Sequence, residues 1–130
     1  MSSVQILLYI LVAIMLFFFV RKIFLGRLIP QYSTDEVAKH LNGARTSVLL
    51  DVRTRGERAS QHIQGSLHIP LHQLEKRIDE LQKHQNKEII CYCQTGSRSL
   101  SAAIRLKKHG FTVANLKGGL AEWNFVHRRV

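Results

Sequence analysis

The chain has 130 residues, two cysteines and a net charge of +10, enough for one domain of ordinary size once an apolar N-terminal stretch is set aside. The excess of Lys and Arg would suit nucleic acid, but there is no basic helix interleaved with exposed aromatics and no RNA- or zinc-binding signature. No nucleic-acid partner is therefore expected, and an anionic membrane face beside a tethered domain accounts for the basicity more simply.

From Val4 to Val20 the sequence runs for 17 residues without a charge and with a single amide, Gln5. As a helix this covers about 25 Å, slightly short of the roughly 30 Å hydrocarbon core. Ile23, Phe24 and Leu25 extend it, because Arg21 and Lys22 can snorkel to the headgroups. No Lys or Arg precedes the run and no small-x-small site follows it, which argues against a cleaved signal peptide. The expectation is a single-pass transmembrane anchor over residues 1–26 that meets membrane lipid, followed by one domain over 27–130. Arg21, Lys22 and Arg27 follow the span and nothing basic precedes it, so the domain is expected to face the cytoplasm from the inner (cell) membrane. Two cysteines, one of which must stay free, suit that reducing compartment.

Residues 26–30 read as a short linker and 28–32 as a short strand. Ser33 and Glu36 form a capping-box start for a helix to about Leu41, and Asn42-Gly43 ends it. Ser47 to Val52 reads as a buried strand, Arg53 to Gln61 as a polar loop with a turn or two of helix, and Ser66 to Pro70 as a short strand. Leu71, Leu74, Ile78 and Leu81 fall on one face of an amphipathic helix. Glu88 to Tyr92 is a further buried strand, and Ser99 to His109 a helix stopped by Gly110. Thr112 to Leu116 is the last strand, 117–119 a turn, and Leu120 to Asn124 a short helix. Strands alternating with helices predict an α/β fold, with a parallel sheet of about five strands flanked by helices. Such sheets bind ligands beyond the carboxyl ends of their strands.

Cys93 stands at such an end. It opens Cys93-Gln94-Thr95-Gly96-Ser97-Arg98-Ser99, a tight loop between strand and helix. Unpaired amides and the positive end of the helix dipole favour an anion there, either the thiolate or a bound oxyanion. Such surroundings lower a cysteine pKa from about 8.5 toward roughly 3.5–7.5. Cys91 projects to the same strand face and reads as a small buried apolar residue, and a Cys91–Cys93 disulfide would be strained.

Four motifs then occur in order: Asp51-Val52-Arg53 with Glu57; His62 to Pro70; Cys93 to Ser99; and Lys117-Gly118-Gly119-Leu120-Ala121-Glu122-Trp123. Together, over about residues 29–125, they closely resemble a single-domain rhodanese (sulfurtransferase) module. With the anchor included, the chain looks like the membrane-anchored bacterial type. The resemblance implies that Cys93 takes the outer sulfur of a small sulfur-containing donor such as thiosulfate. It would then carry that sulfur as a persulfide and pass it to a thiol or protein acceptor, with no cofactor. It also implies that Arg98 holds the leaving oxyanion or braces the loop, and that the amides of Gln94 to Ser99 stabilise the charged sulfur. Gly96 gives the loop its freedom, and Thr95, Ser97 and Ser99 offer hydroxyl donors.

Four residues separate Cys93 from Arg98. Phosphatases of the cell-cycle type and tyrosine phosphatases have one more, a ring wide enough for phosphate, so sulfur transfer is favoured over dephosphorylation or arsenate reduction. The alternative from another class is a non-catalytic, membrane-tethered rhodanese-like binding module. Around the loop, Asp51 is expected to pair with Arg53 or Arg98, Glu57 to cap or brace beside Arg53, and His62 to hold the turn from Ile63 to Pro70. Residues His40, His68, His72, His84, His109 and His127 show no pairing that suggests a metal site, and Pro70 breaks the spacing of His68 and His72. Trp123, Phe111 and Phe125 read as core, and residues 127–129 as a solvated tail.

Overall fold

A computed structural model describes residues 1–43 and 46–127. Helix α1, Ser3–Gly26, is a helix long and apolar enough to cross a membrane, and none of its residues is buried by the rest of the chain. The one amide in its apolar run serves its start. Gln5 Oε1 accepts from the Ser2 amide at 3.0 Å and Ser2 Oγ accepts from the Gln5 amide at 3.3 Å, closing a capping box.

Five strands follow: β1 Gln31–Tyr32, β2 Ser47–Asp51, β3 Leu67–His68, β4 Glu88–Tyr92 and β5 Val113–Leu116. They form one parallel sheet in the order β1-β5-β4-β2-β3. The central pair is in register from Ser47 opposite Glu88 to Asp51 opposite Tyr92, so Asp51 and Cys93 emerge together at the carboxyl edge. The strands are apolar on both faces because helices cover both. Ile89, Cys91 and Cys93 face one core with Leu50, Val52, Ala103 and Leu106; Ile90 and Tyr92 face the other with Val37, Leu49, Leu116 and Leu120. Alternation along β4 thus sorts its side chains between two layers.

Helix α2, Thr34–Asn42, and α6, Gly119–His127, lie on the second face, and α5, Ser97–Lys108, lies on the first. Helix α3, Arg55–Ser60, starts in a Thr54/Glu57 capping box. The strands expected at 28–32 and 66–70 shrink to two residues each. Both lie at sheet edges with a proline close by, Pro30 just before β1 and Pro70 two residues after β3, and proline has no amide for the ladder.

The amphipathic helix expected over residues 71–81 is corrected. The stretch is a 3-10 turn at Leu71–Gln73, a short α4 at Leu74–Arg77, and a second 3-10 segment at Ile78–His84. No side chain caps any of these segments, and Arg77 departs from helical geometry at the second joint (φ −113°). Burial of Leu74 and Leu81 holds the stretch in place without a continuous hydrogen-bond ladder. Phe125 is corrected too. Phe111 is buried and Trp123 packs on the second core, but Phe125 is 87% exposed. It lies five residues beyond Leu120, about 140° around the helix from the buried face. The end of the predicted tail, 128–129, lies outside the described residues.

Candidate active site

The loop after β4 wraps the Cys93 sulfur with donors. The Gly96 amide donates to Sγ at 3.0 Å, and Ser99 Oγ lies 3.4 Å away. Gly96 has φ +106°, a left-handed conformation that a side chain would strain. Burial disfavours the Cys93 thiolate, yet the Ser99 hydroxyl and the amides of Ser99, Gly96 and Thr95 outweigh it and hold the thiol below its ordinary range. The residue is 1% exposed.

The Lys117-Gly118-Gly119 turn explains why the amides point inward. The first amides of α6 bind the loop's outward carbonyls: Leu120 donates to the Cys93 carbonyl at 2.9 Å and Ala121 to the Gln94 carbonyl at 3.1 Å. Gly119 has φ +63°, and a Cβ there would lie 2.5 Å from the Cys93 carbonyl oxygen. Only glycine lets the helix come this close.

Asp51, fully buried, lies under the loop. It accepts from the Arg53 amide at 2.9 Å, Arg53 Nε at 3.1 Å, Arg53 Nη2 at 3.0 Å and the Tyr92 hydroxyl at 3.1 Å, with Arg58 Nη1 at 3.5 Å. Burial alone would raise its pKa, but the hydrogen bonds from Arg53 win and hold the carboxyl below the usual carboxylate range. Arg53, 2% exposed, also donates to the Gln61 carbonyl and to Gln94 Oε1. Of the two partners expected for Asp51, Arg53 is the one found.

Arg98 turns instead to Glu57. Two parallel bonds of 2.9 and 3.2 Å join them, and this pairing lowers the Glu57 pKa. Glu57 also closes the α3 cap, as expected, and lies within reach of the Arg53 charge, so it ties that helix to the sulfur loop. His62 does not hold the 63–70 turn. Its ring lies 3.1 Å from the Arg58 carbonyl on the surface. The turn is held from inside by Tyr92, whose hydroxyl accepts from the Ile63 amide at 3.1 Å and meets Ser66 Oγ at 2.9 Å. Arg58 adds a bond of 2.7 Å to the Ser66 carbonyl.

Of the predicted loop residues, Cys93, Gly96 and Ser99 meet at the sulfur, and Thr95 does so through its amide. The side chains of Gln94, Thr95 and Ser97 are exposed, and the Gln94 side chain reaches Arg53. Sequence reasoning missed Asn115, Tyr92 and Arg58. A polar Asn115 inside the apolar run Val113–Leu116 was a signal in the sequence. Nothing comparable marked the other two.

Beside the loop a cleft of about 340 Å³ is lined by Val52, Thr54, Pro70, Leu71, His72, Arg98 and Arg105. The Val52 amide donates to the Tyr92 carbonyl at 3.1 Å, which sets this wall of the cleft next to Cys93. The cleft is cationic, with an apolar floor. Among the described residues, no cluster of three or more His, Cys, Asp or Glu side chains is placed to hold a metal ion.

This geometry has known counterparts. The model of the rhodanese-like domain matches residues 33–125, most of the chain. The chain belongs to the rhodanese-like domain family. It is 29% identical over 97 residues to a sulfurtransferase of Allochromatium vinosum, covering 74% of this chain and 89% of that one. It is 38% identical over 96 residues to a candidate sulfur carrier protein of Bacillus subtilis, covering 73% of this chain but only 51% of that protein. Among solved structures, a thiosulfate sulfurtransferase of Pseudomonas aeruginosa superposes with a TM-score of 0.69 at 27% identity, over 81% of this chain and 21% of that one. Rhodanese relatives named for other chemistry also match: this chain spans 31% of the length of tRNA uridine(34) hydroxylases.

Proposed function

We propose that this rhodanese is a sulfurtransferase that carries sulfane sulfur as a persulfide on Cys93. The observation that carries the reading is the donor ring at Sγ, with the Gly96 amide at 3.0 Å and Ser99 Oγ at 3.4 Å around a thiol held below its ordinary range. The Cys93 thiolate attacks the outer sulfur of a donor such as thiosulfate. An S–S bond forms to Cys93, the sulfur–sulfonate bond breaks, and the electron pair leaves with sulfite. The negative charge moves to the outer persulfide sulfur, next to the same amides. A thiolate or protein acceptor then attacks that sulfur and Cys93 departs as thiolate, closing the cycle without oxidant or cofactor.

Arg98, Arg105 and His72 around the cleft favour an anionic donor. Arg98 braces the loop through Glu57 and leaves one face toward the cleft. We assign α1 as a single-pass membrane anchor, with Arg21, Lys22 and Arg27 keeping the domain on the cytoplasmic side. Protease accessibility of the domain in sealed inverted vesicles, against its protection in intact cells, tests that orientation.

The test of the chemistry is intact-mass analysis of the chain with and without thiosulfate. One added sulfur is expected on the native chain and none on Cys93→Ser, with loss of thiocyanate production from thiosulfate and cyanide. An adduct that persists in the variant overturns the assignment. The 1% exposure of Cys93 is the observation that favours the second reading, a tethered binding module without catalysis. Identical cellular behaviour of Cys93→Ala and the native chain would decide for it.

A further inference from the structure

Strand β5 carries one polar side chain, Asn115, which is 3% exposed. Its amide orientation is fixed by its neighbours. A backbone carbonyl only accepts, so the Asn115 atom 3.2 Å from the Gly96 carbonyl is the NH₂ nitrogen, which also donates to Gln31 Oε1 at 2.9 Å. Asn115 Oδ1 therefore faces Ser99 Oγ and needs a donor, and the Ser99 hydroxyl supplies it. The same hydroxyl oxygen lies 3.4 Å from Cys93 Sγ. Ser99 has one proton to donate and two acceptors within reach.

The geometry points to Asn115 as a positioning residue that competes with Cys93 for the Ser99 hydroxyl proton and so sets how readily the sulfur becomes a thiolate. While Cys93 is a thiol, its S–H donates to Ser99 Oγ and the Ser99 proton points to Asn115. When Cys93 ionises, the hydroxyl turns from Asn115 to the sulfur. When the sulfur is loaded, the charge moves one bond outward and the hydroxyl returns to Asn115. The amides of Thr95, Gly96 and Ser99 supply the constant part of the stabilisation, and Ser99 supplies a part that switches with charge. The last step rests on the persulfide reading; the competition itself does not.

Other ionisable or charged groups on the surrounding elements are Glu88, Cys91 and Tyr92 on β4, Asp51 at the end of β2 and Arg53 just beyond it, Arg55, Glu57 and Arg58 on α3, Arg98, Arg105, Lys107 and Lys108 on α5, and Lys117 and Glu122 around the start of α6. All of them are common to the variants that follow. The test is the pH dependence of Cys93 alkylation by iodoacetamide, read by intact mass on the full chain in detergent micelles. The native chain is compared with Asn115→Ala, Ser99→Ala and the double variant.

Freeing the Ser99 proton in Asn115→Ala is expected to lower the midpoint by about one pKa unit, the size of one charge-assisted hydrogen bond. Because a less basic thiolate is also less nucleophilic, the rate at pH 6 should rise only about threefold. Ser99→Ala should raise the midpoint, and adding Asn115→Ala to it should change nothing further. A midpoint that rises in Asn115→Ala, or shifts equally with and without Ser99, shows that Asn115 merely braces the Gly96 carbonyl and overturns the proposal. Asn115→Val, which suits a strand and fills the space, repeats the measurement if the alanine variant does not fold. Sulfur loading of the same variants is scored separately, so a failure of the persulfide reading is distinguishable from a failure of the competition.

Discussion

Cys91 and Cys93 sit two residues apart, face the same core, and ionise in opposite directions. Burial pushes the Cys91 thiol up to about 12, helped by the neighbouring Cys93 charge. Cys93 is buried almost as fully, yet its thiol is held low because hydrogen bonds from Ser99, Gly96 and Thr95 reach it. The difference lies in the backbone. At Cys91 the strand is paired with β2 on one side and β5 on the other, and no hydrogen bond offsets the burial of its sulfur. One residue past the strand the ladder stops, the chain turns through Gly96, and the freed amides converge on one atom. The thiol that is held low is the one placed where the sheet's hydrogen bonding ends.

The largest expected effect separates the two thiols directly. Thiosulfate should add a sulfur to Cys91→Ser as it does to the native chain, and iodoacetamide should modify Cys93 alone, with a rate midpoint below the ordinary thiol value of about 8.5. Loading that survives Cys93→Ser and disappears in Cys91→Ser would reverse the comparison. The serine at position 91 buries a hydroxyl, so a loss of about 1–3 kcal/mol in urea unfolding accompanies intact loading.

Next in size is the support beneath the loop. Asp51→Asn leaves Arg53 buried without its anion and should cost about 3–5 kcal/mol by denaturant titration. The same pair sets the acid limit. The Asp51 carboxyl is lowered in the fold, so its contribution is present at neutral pH and is lost as pH falls through its folded value. The native chain should therefore lose stability steeply in acid, and Asp51→Asn should lose less of what remains.

The contact between α6 and the loop comes third. Gly119→Ala places a methyl against the Cys93 carbonyl in a left-handed residue, at a cost of about 2–4 kcal/mol. Because the collision is with the sulfur loop itself, sulfur loading should slow more than the thermal midpoint falls. An unperturbed loading rate would show that α6 does not hold the loop. The smallest effect is at the Glu57–Arg98 pair, whose side chains are 40% and 37% exposed. Glu57→Gln should change stability by less than about 1 kcal/mol. It should act mainly on KM for an anionic donor by releasing Arg98, whereas a change confined to kcat would contradict a binding role.

Much of the site was legible as a linear pattern because it is local. The loop from Cys93 to Ser99 supplies its own amides and its own hydroxyl, and Gly96 marks its turn. The parallel sheet was legible because apolar runs alternate with helical faces, as in Ser47 to Val52 and Glu88 to Tyr92. What escaped was long-range. Arg98 chose Glu57 over Asp51 because α3 brings the Glu57 carboxylate to the loop while Arg53 and Arg58 already occupy Asp51. The turn after His62 is held by Tyr92, whose hydroxyl reaches the Ile63 amide from 29 residues away. The 71–84 stretch broke into short pieces because burial of Leu74 and Leu81 is satisfied without a regular helix.

The amino-acid order by itself determined a single apolar helix ahead of an α/β domain, and a cysteine poised where strand gives way to helix. Periodicity and turn chemistry act over a few residues, and those features need nothing more. Tertiary structure decided which carboxylate answers which arginine, that α6 clamps the sulfur loop through Gly119, and that Asn115 reaches the Ser99 hydroxyl. Each of those depends on the strand order β1-β5-β4-β2-β3, which brings residues distant in the chain within hydrogen-bond reach at one edge of the sheet.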